Sequence, residues 1–413
     1  MDRLLSLKDF SLATDENMAE RADSFQEFVD QMDGFRHNGY FIGSRTNTGS
    51  RMTVRMPYTG EYRDVVSFVS NDYLGMSRNA ETIAAGVSAV EKYGTGVCAA
   101  PIIGGLMDLQ SELESALAAF TGCEDCLVFS SGFGANEGVL RALLGKNDIA
   151  LIDSFIHSSS LNGLAGTNTK NIGHNNLDYL ETVLRNVRDR YRTKLLIIDG
   201  VYSQDGDISL LPQMLELCHR YGAFVMLDDA HGIGTFGPDG RGVADHYGLL
   251  GKVDIVTGTL SKAFGCVGGF AASSRRIVQY LRYYSPHTVF SASPSPQVMA
   301  SSLKALEIIR SHPEIRERLW ANVRLFRSET ARLGIDTSPS VSQIFPVRIR
   351  DNKRVKDLSA RLLEMGIYAI GICYPAVRDK DARIRISILA THTEEDILRL
   401  SSALEAILSG PQA

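Results

Sequence analysis

Lys262 lies in Gly258-Thr259-Leu260-Ser261-Lys262-Ala263-Phe264-Gly265, downstream of Leu227-Asp228-Asp229-Ala230-His231-Gly232. An amine, a carboxylate and an imidazole therefore sit at the ends of successive apolar segments. A lysine amine can hold an aldehyde as a Schiff base, and an aspartate can keep a pyridine nitrogen protonated so that the ring accepts electrons from a carbanion. Those are the needs of pyridoxal 5′-phosphate, and the set predicts carbanion chemistry on an amino acid. Singly, each residue has a plainer role as a solvated charge, a cap or a structural ring. The combination carries the reading.

Such groups need rigid strand ends to hold them. From residue 110 to about 273, apolar runs at 126–129, 149–152, 195–198, 224–227, 255–257 and 267–271 alternate with helical patterns at 135–144, 177–191 and 211–221. Alternation of this kind predicts crossover connections and a mostly parallel central sheet covered by helices on both faces. Ligands bind at the carboxyl ends of such strands, where Ser131, Asp153, Ser203, Asp228 and Thr259 are expected. Upstream, a helical pattern at 17–32 precedes extended stretches near 52–56 and 65–69. Beyond 293 come helices near 297–311 and 315–333, strands near 343–349 and 383–388, and helices near 355–365 and 394–408. We expect an N-terminal arm and small sheet (1–62), a large domain (63–293) and a smaller C-terminal α+β domain (294–413).

Composition narrows the partners. The 413 residues are 44% hydrophobic and 22% charged with a formal net charge of −5, the balance of an ordinary globular chain. There is no basic block of the kind that tracks phosphate backbones, so nucleic acid is not expected. No run approaches the ~20 apolar residues of a membrane helix, and Met1 to Asp9 lacks a signal-peptide pattern, so the expected location is cytoplasmic. The six cysteines are scattered and are expected to be reduced thiols. Cys123-Glu124-Asp125-Cys126 has metal-like spacing but no second pair, so no metal is expected.

The chain resembles the α-oxoamine synthases, fold-type I pyridoxal phosphate enzymes that include serine palmitoyltransferase, 8-amino-7-oxononanoate synthase, glycine C-acetyltransferase and 5-aminolevulinate synthase. The resemblance runs from about 66 to 393. It rests on Ser70-Asn71-Asp72-Tyr73-Leu74-Gly75, Tyr93-Gly94-Thr95-Gly96, Ser131-Gly132-Phe133-Gly134-Ala135-Asn136, Asp153 with His157, and Asp199-Gly200-Val201-Tyr202-Ser203-Gln204-Asp205-Gly206-Asp207. The Asp228/His231 pair, the Lys262 segment and Arg385-Ile386-Ser387-Ile388-Leu389-Ala390-Thr391-His392-Thr393 complete it. The closing Ala-Thr-His-Thr, Gly173-His174-Asn175-Asn176 and Phe290-Ser291-Ala292-Ser293 look most like bacterial serine palmitoyltransferases.

The resemblance implies roles. Ser131, Gly132 and Phe133 open a helix whose free amides and dipole face the cofactor phosphate, with hydroxyls from Thr259 and Ser261. Asp228 pairs with the pyridine nitrogen, His157 stacks on the ring, and Ser203 and His231 lie near its phenolic oxygen. Lys262 anchors the cofactor and then removes the α-proton. Arg385, with Asn71, binds the substrate carboxylate; Arg383, on the same strand face, could hold that place instead. Ser291 reaches the neighbouring subunit's phosphate in a homodimer with interface active sites.

The expected activity is condensation of an amino acid, serine first, with a long-chain acyl thioester on coenzyme A or an acyl carrier protein, with decarboxylation, to an α-amino ketone such as 3-ketosphinganine. Family polar positions here read Ala100-Pro101, Gly105-Leu106 and Gln110, which argues against a succinyl donor and for a hydrocarbon chain. Gln204, where the family more often has Met, keeps cysteate, alanine or glycine open, as does a shorter acyl-CoA of the kind used by 8-amino-7-oxononanoate synthase or glycine C-acetyltransferase. Another fold-type I enzyme would not carry both the His157 motif and the Ala-Thr-His-Thr ending. A non-catalytic binding or regulatory protein is disfavoured by the presence of Lys262 and by the lack of a basic DNA-reading module.

Overall fold

The computed structural model describes residues 5–10, 15–37 and 39–409. Its strands, in chain order, are β1 (Arg51–Arg55), β2 (Tyr62–Ser67), β3 (Asp125–Phe129), β4 (Ile149–Ile152), β5 (Asn168–Asn171), β6 (Lys194–Asp199) and β7 (Phe224–Asp228). There follow β8 (Ile255–Thr259), β9 (Gly269–Ser273), β10 (Ile344–Arg348), β11 (Ile367–Tyr368), β12 (Ile370–Ile372) and β13 (Arg383–Ser387). Contacts divide the chain into two compact units. One contains the residues up to Asn71, Gln204–Gly206 and everything from Leu319 on; the other contains Asp72–Ser203 and Asp207–Arg318. Where the sequence suggests boundaries near 62 and 293, contacts group the N-terminal hairpin with the C-terminal residues, because β2 pairs in parallel with β11.

The Asp72–Arg318 unit is built on a seven-stranded sheet of order β3-β9-β8-β7-β6-β4-β5. The pairs from β8 through β5 are parallel, and β9 runs antiparallel between β3 and β8. β4, β6 and β8 are buried at every position. That is why they read as unbroken apolar runs and why helices must cover both faces. Phe129, Leu140, Ile152, Ile197, Met226, Ile255 and Leu281 meet in one core cluster with the helices Gly132–Leu143 and Arg275–Tyr284. Ser131 and Ser274 cap those two helices through their side-chain oxygens, as short hydroxyl residues do at an N-terminus.

β4 and the closing helix Glu394–Leu408 have the bounds expected from sequence. β9 starts two residues later than the apolar run suggests. Gly268 holds a φ of +132° there, and a Cβ on Gly269 would stand 2.5 Å from the Gly132 Cα, so the strand begins where two backbones touch. The helix from Leu177 ends at Val187, four residues early.

The other unit has two three-stranded sheets, β1-β2-β11 and β10-β13-β12. β13 is the central strand of its sheet, with Arg385 level with Pro346 of β10 and Ile370 of β12. Arg383 and Arg385 therefore leave one face of a buried strand, not a solvated edge. Their partners differ. Arg383 Nη1 meets Asp205 Oδ1 at 2.8 Å and the Gln204 carbonyl at 3.0 Å, and Arg348 Nη2 reaches the same Asp205 oxygen at 2.6 Å. One carboxylate thus bridges two guanidinium groups, and Asp381, 3.6 Å from Arg348, supplies the second negative charge. Asp205→Ala should lower the unfolding free energy by about 3–5 kcal/mol, since it leaves buried charge uncompensated. Denaturant titration that showed a loss below about 1 kcal/mol would contradict this account of the network.

Candidate active site

Helix geometry explains the first wall of the site. Ser131 Oγ accepts the Gly134 amide at 2.9 Å, which leaves the Gly132 and Phe133 amides at the open end of the Gly132–Leu143 helix, where the dipole is positive. A Cβ on Gly132 would stand 2.9 Å from Thr259 Cβ and 3.0 Å from its hydroxyl. Only glycine lets this helix end approach the last residue of β8. Thr259 Oγ1 pairs with Ser261 Oγ at 2.6 Å, so two hydroxyls join the amides. Amides, dipole and hydroxyls together form a cradle for a phosphate.

The second wall is the carboxyl end of β7. Asp228 accepts Asn136 Nδ2 at 2.6 Å and the Ala230 amide at 3.0 Å. Asn136 also donates to Ser159 Oγ at 2.9 Å and accepts the Thr257 hydroxyl at 2.6 Å, so it is fixed on three sides. A buried carboxyl group held by such donors is oriented to face a protonated pyridine nitrogen. Asp229 points the other way, into a niche where Cβ atoms on Gly200, Gly232 or Gly242 would overlap its carboxyl. Burial pushes that carboxyl up to about 7.

His157 caps the helix Ser158–Gly163, its Nδ1 2.7 Å from Ser159 Oγ. Burial, followed by the Lys262 charge, lowers its pKa, whereas Asp228 pulls it up. A neutral imidazole avoids placing a second positive charge against a protonated pyridine ring. His231 Nδ1 is 2.7 Å from the hydroxyl of fully buried Tyr73. Ser131, Gly132, Phe133, His157, Asp228, His231, Thr259, Ser261 and Lys262 line one cavity of about 280 Å³, joined by Asn136, Ser159 and Asp199.

Not every expected residue lines that cavity. Ser203 sits in the turn after β6 and Ser291 in a partly exposed segment; neither is part of its wall. Asn71 and Arg385 belong to the other unit, where Arg385 Nη1 donates to Ser387 Oγ at 2.8 Å and Nη2 to Asn71 Oδ1 at 3.4 Å. Arg383, by contrast, faces Asp205. Asp153 serves a different purpose. Its Oδ1 meets His174 Nδ1 at 3.0 Å, and Asp207 Oδ2 meets His174 Nε2 at 2.8 Å. Burial works against the charged ring, but the two carboxylates outweigh it and raise His174 to about 9.

Asn136, Ser159, Tyr73 and Asp199 were not singled out by sequence. The available signal for Asn136, Tyr73 and Asp199 was their place inside the quoted motifs, since Asn136 comes one turn into the helix that Ser131 opens; Ser159 lies outside them. A larger cavity of about 460 Å³, lined by Ile42, Met56, Leu363 and Tyr368, also contains His37, Lys356 and Glu364, but it belongs to the unit without the seven-stranded sheet and its phosphate cradle. Cys126 is buried in β3, where burial keeps its thiol protonated, and the described residues contain no group of side chains able to hold a metal ion. No helix among them is long and apolar enough to cross a membrane.

A phosphate cradle, a carboxylate and a lysine around one cavity on a seven-stranded sheet define a fold-type I pyridoxal phosphate transferase. Residues 63–404 match the aminotransferase class I and II family, and the chain belongs to that family, on its α-oxoamine synthase branch. It is 40% identical over 351 residues to 8-amino-7-oxononanoate synthase 1 of Bacillus subtilis, covering 84% of this chain and 88% of that one. It is 38% identical over 347 residues to 8-amino-7-oxononanoate synthase of Thermoanaerobacter pseudethanolicus, again covering 84% and 88%. The structure of serine palmitoyltransferase from Sphingomonas wittichii superposes with a TM-score of 0.87 at 28% identity, covering 95% of this chain and 98% of that one. The protein is a pyridoxal phosphate-dependent acyltransferase of the α-oxoamine synthase type.

Two expectations follow. Gly132→Ala should weaken cofactor retention about tenfold, the effect of roughly 1.4 kcal/mol of crowding against Thr259, whereas Gly145→Ala, with nothing closer than 4.0 Å, should leave it unchanged. Absorbance after gel filtration reads both. His174 gains its proton on folding, so its contribution is complete below about pH 6.5 and fades as pH rises through about 9. Thermal unfolding should show the wild type losing its margin over His174→Gln between those limits; a constant margin would mean that His174 is uncharged.

Proposed function

We propose that this chain condenses alanine with a carboxylate-ended, seven-carbon acyl thioester, with loss of carbon dioxide, to form 8-amino-7-oxononanoate. What carries this reading is the 38–40% identity to synthases of that name over 84% of the chain. The name itself specifies the bond made. The ketone is at C7 and the amine at C8, so the new bond joins C7 of the acyl group to the amine-bearing carbon. C8 and its methyl C9 are what remains of alanine after its carboxyl leaves, and C1 to C7 come from the thioester.

Pyridoxal phosphate, when bound, supplies the electron sink for the carbanion. In this reading the protein's residues do the rest. Ser131, Gly132, Phe133, Thr259 and Ser261 hold the phosphate, and Asp228 keeps the pyridine nitrogen protonated. His157 covers the ring, while His231 and Ser203 set its tilt. Lys262 anchors the cofactor and then takes the α-proton on Nζ. Arg385 with Asn71 clamps the amino-acid carboxylate, because Arg383 is already matched with Asp205. Ser291 completes the phosphate site of the neighbouring subunit in a cytoplasmic homodimer.

Serine with a long-chain thioester is the second reading. It is favoured by the exposed Ile102, Ile103 and Leu106, on a segment that Ser293 ties down through the Ala99 carbonyl at 3.0 Å and the Gly105 carbonyl at 2.7 Å. The likeness to serine palmitoyltransferase supports it as well.

Thiol release by the holoenzyme separates the two. Alanine, serine, glycine and cysteate are each paired with a seven-carbon dicarboxylic thioester and with a long-chain one. We expect release with alanine and the shorter donor, at least tenfold faster than with any other pair, and none from Lys262→Ala. Fastest release with serine and the long chain would replace the first reading by the second.

A further inference from the structure

Asp199 ends β6 and Asp228 ends β7, and the two occupy paired register positions. Side chains at paired positions leave the same face of a sheet, here from strands about 4.8 Å apart. Both residues are buried, at 3% and 6% exposure, and both line the Lys262 cavity. Two buried carboxyl groups on adjacent strands disfavour each other's charge, and a proton held between them goes to the one with poorer donors. Asp228 has Asn136 at 2.6 Å and the Ala230 amide at 3.0 Å. The donor recorded for Asp199 is the His157 amide, at 3.4 Å.

We propose that Asp199 is an uncharged carboxylic acid in the wall of the site, a positioning residue that holds the His157 backbone and leaves Asp228 as the single anion of the pair. The titratable groups around it agree. Asp228 on β7 and Asp153 beyond β4 both disfavour a negative charge at Asp199, while Lys262 beyond β8 and the His157 amide favour one. Burial exceeds all of these, and Asp199 lies well above the carboxylate range. Tyr202, further along the same chain segment, is buried and keeps its phenolic proton too.

The linkage sign gives the test. Unfolded Asp199 ionises above about pH 4, whereas the folded protein keeps the proton, so the wild type loses stability at this residue as pH rises above that value. Asp199→Asn is neutral in both states. Thermal unfolding of apo and holo protein should place Asp199→Asn about 2–4 °C above the wild type at pH 8, with the difference vanishing towards pH 4. Equal or lower stability of Asp199→Asn at pH 8 would show a charged Asp199 and overturn the proposal.

Cofactor affinity supplies the second readout, and only this one rests on the function proposed above. Asp199→Asn should retain the cofactor within about threefold of wild type, and Asp199→Leu, which cannot accept the His157 amide, should lose about tenfold or more. Equal weakening in both variants would overturn the positioning role. Borohydride fixation on the same samples reports whether the cofactor sits on Lys262. Its absence would sink the reading of the cavity without altering the pH result on apo protein.

Discussion

A carboxyl group buried at the end of a parallel strand is the constraint on which the site depends. Burying such a group costs free energy unless its hydrogen-bond partners are arranged in advance, and those of Asp228 are. Asn136 is the principal one. Its amide donates to Asp228 and Ser159 and accepts the Thr257 hydroxyl, so it joins the helix after β3, the helix after β4 and strand β8. Asp229, the next residue, turns to the opposite side, into a glycine-lined niche where burial raises its carboxyl to about 7. Two adjacent acids in sequence thus meet different environments.

The same economy of charge governs the other unit. Arg383 and Arg385 stand on one face of β13, and an anionic substrate could in principle use either. Asp205 already answers Arg383, with Arg348 on the same oxygen. Arg385 instead bonds a hydroxyl and an amide oxygen. A guanidinium bridged to a buried aspartate has spent most of its attraction for a second carboxylate.

What was legible in the sequence follows from these physics. β4, β6 and β8 announced themselves because strands covered on both faces must be apolar throughout. β5 did not, since Asn168-Thr169-Lys170-Asn171 is an exposed edge with polar side chains at every position. The helix Arg275–Tyr284 buries only Val278 and Leu281 within a run of arginines and tyrosines, too few apolar residues to mark a stripe. At the site, the residues that carry chemistry were visible as motifs. Asn136, Ser159 and Asp199 act through contacts between segments far apart in the chain, which no local pattern encodes. The difference between Arg383 and Arg385 was hidden for the same reason, because the Asp205 that pairs with Arg383 lies 178 residues away.

That division also explains why the relatives in sequence and in structure carry different names. Chemistry at the amino-acid α-carbon is common to both, and it resides on strand ends that a rigid sheet holds in place. The connecting segment 98–107, by contrast, takes a course that depends on Gly105, since a Cβ there would overlap the Ala99 carbonyl. Loops of this kind change side chains at little cost to the fold and so alter specificity while the scaffold stays constant. Ile102, Ile103 and Leu106 present hydrocarbon there, which suits an alkyl chain and gives no charge to a terminal carboxylate. If the seven-carbon acid is the donor, its far carboxylate must be met by a cation outside this segment, and acyl length and acyl charge are then read by different parts of the protein.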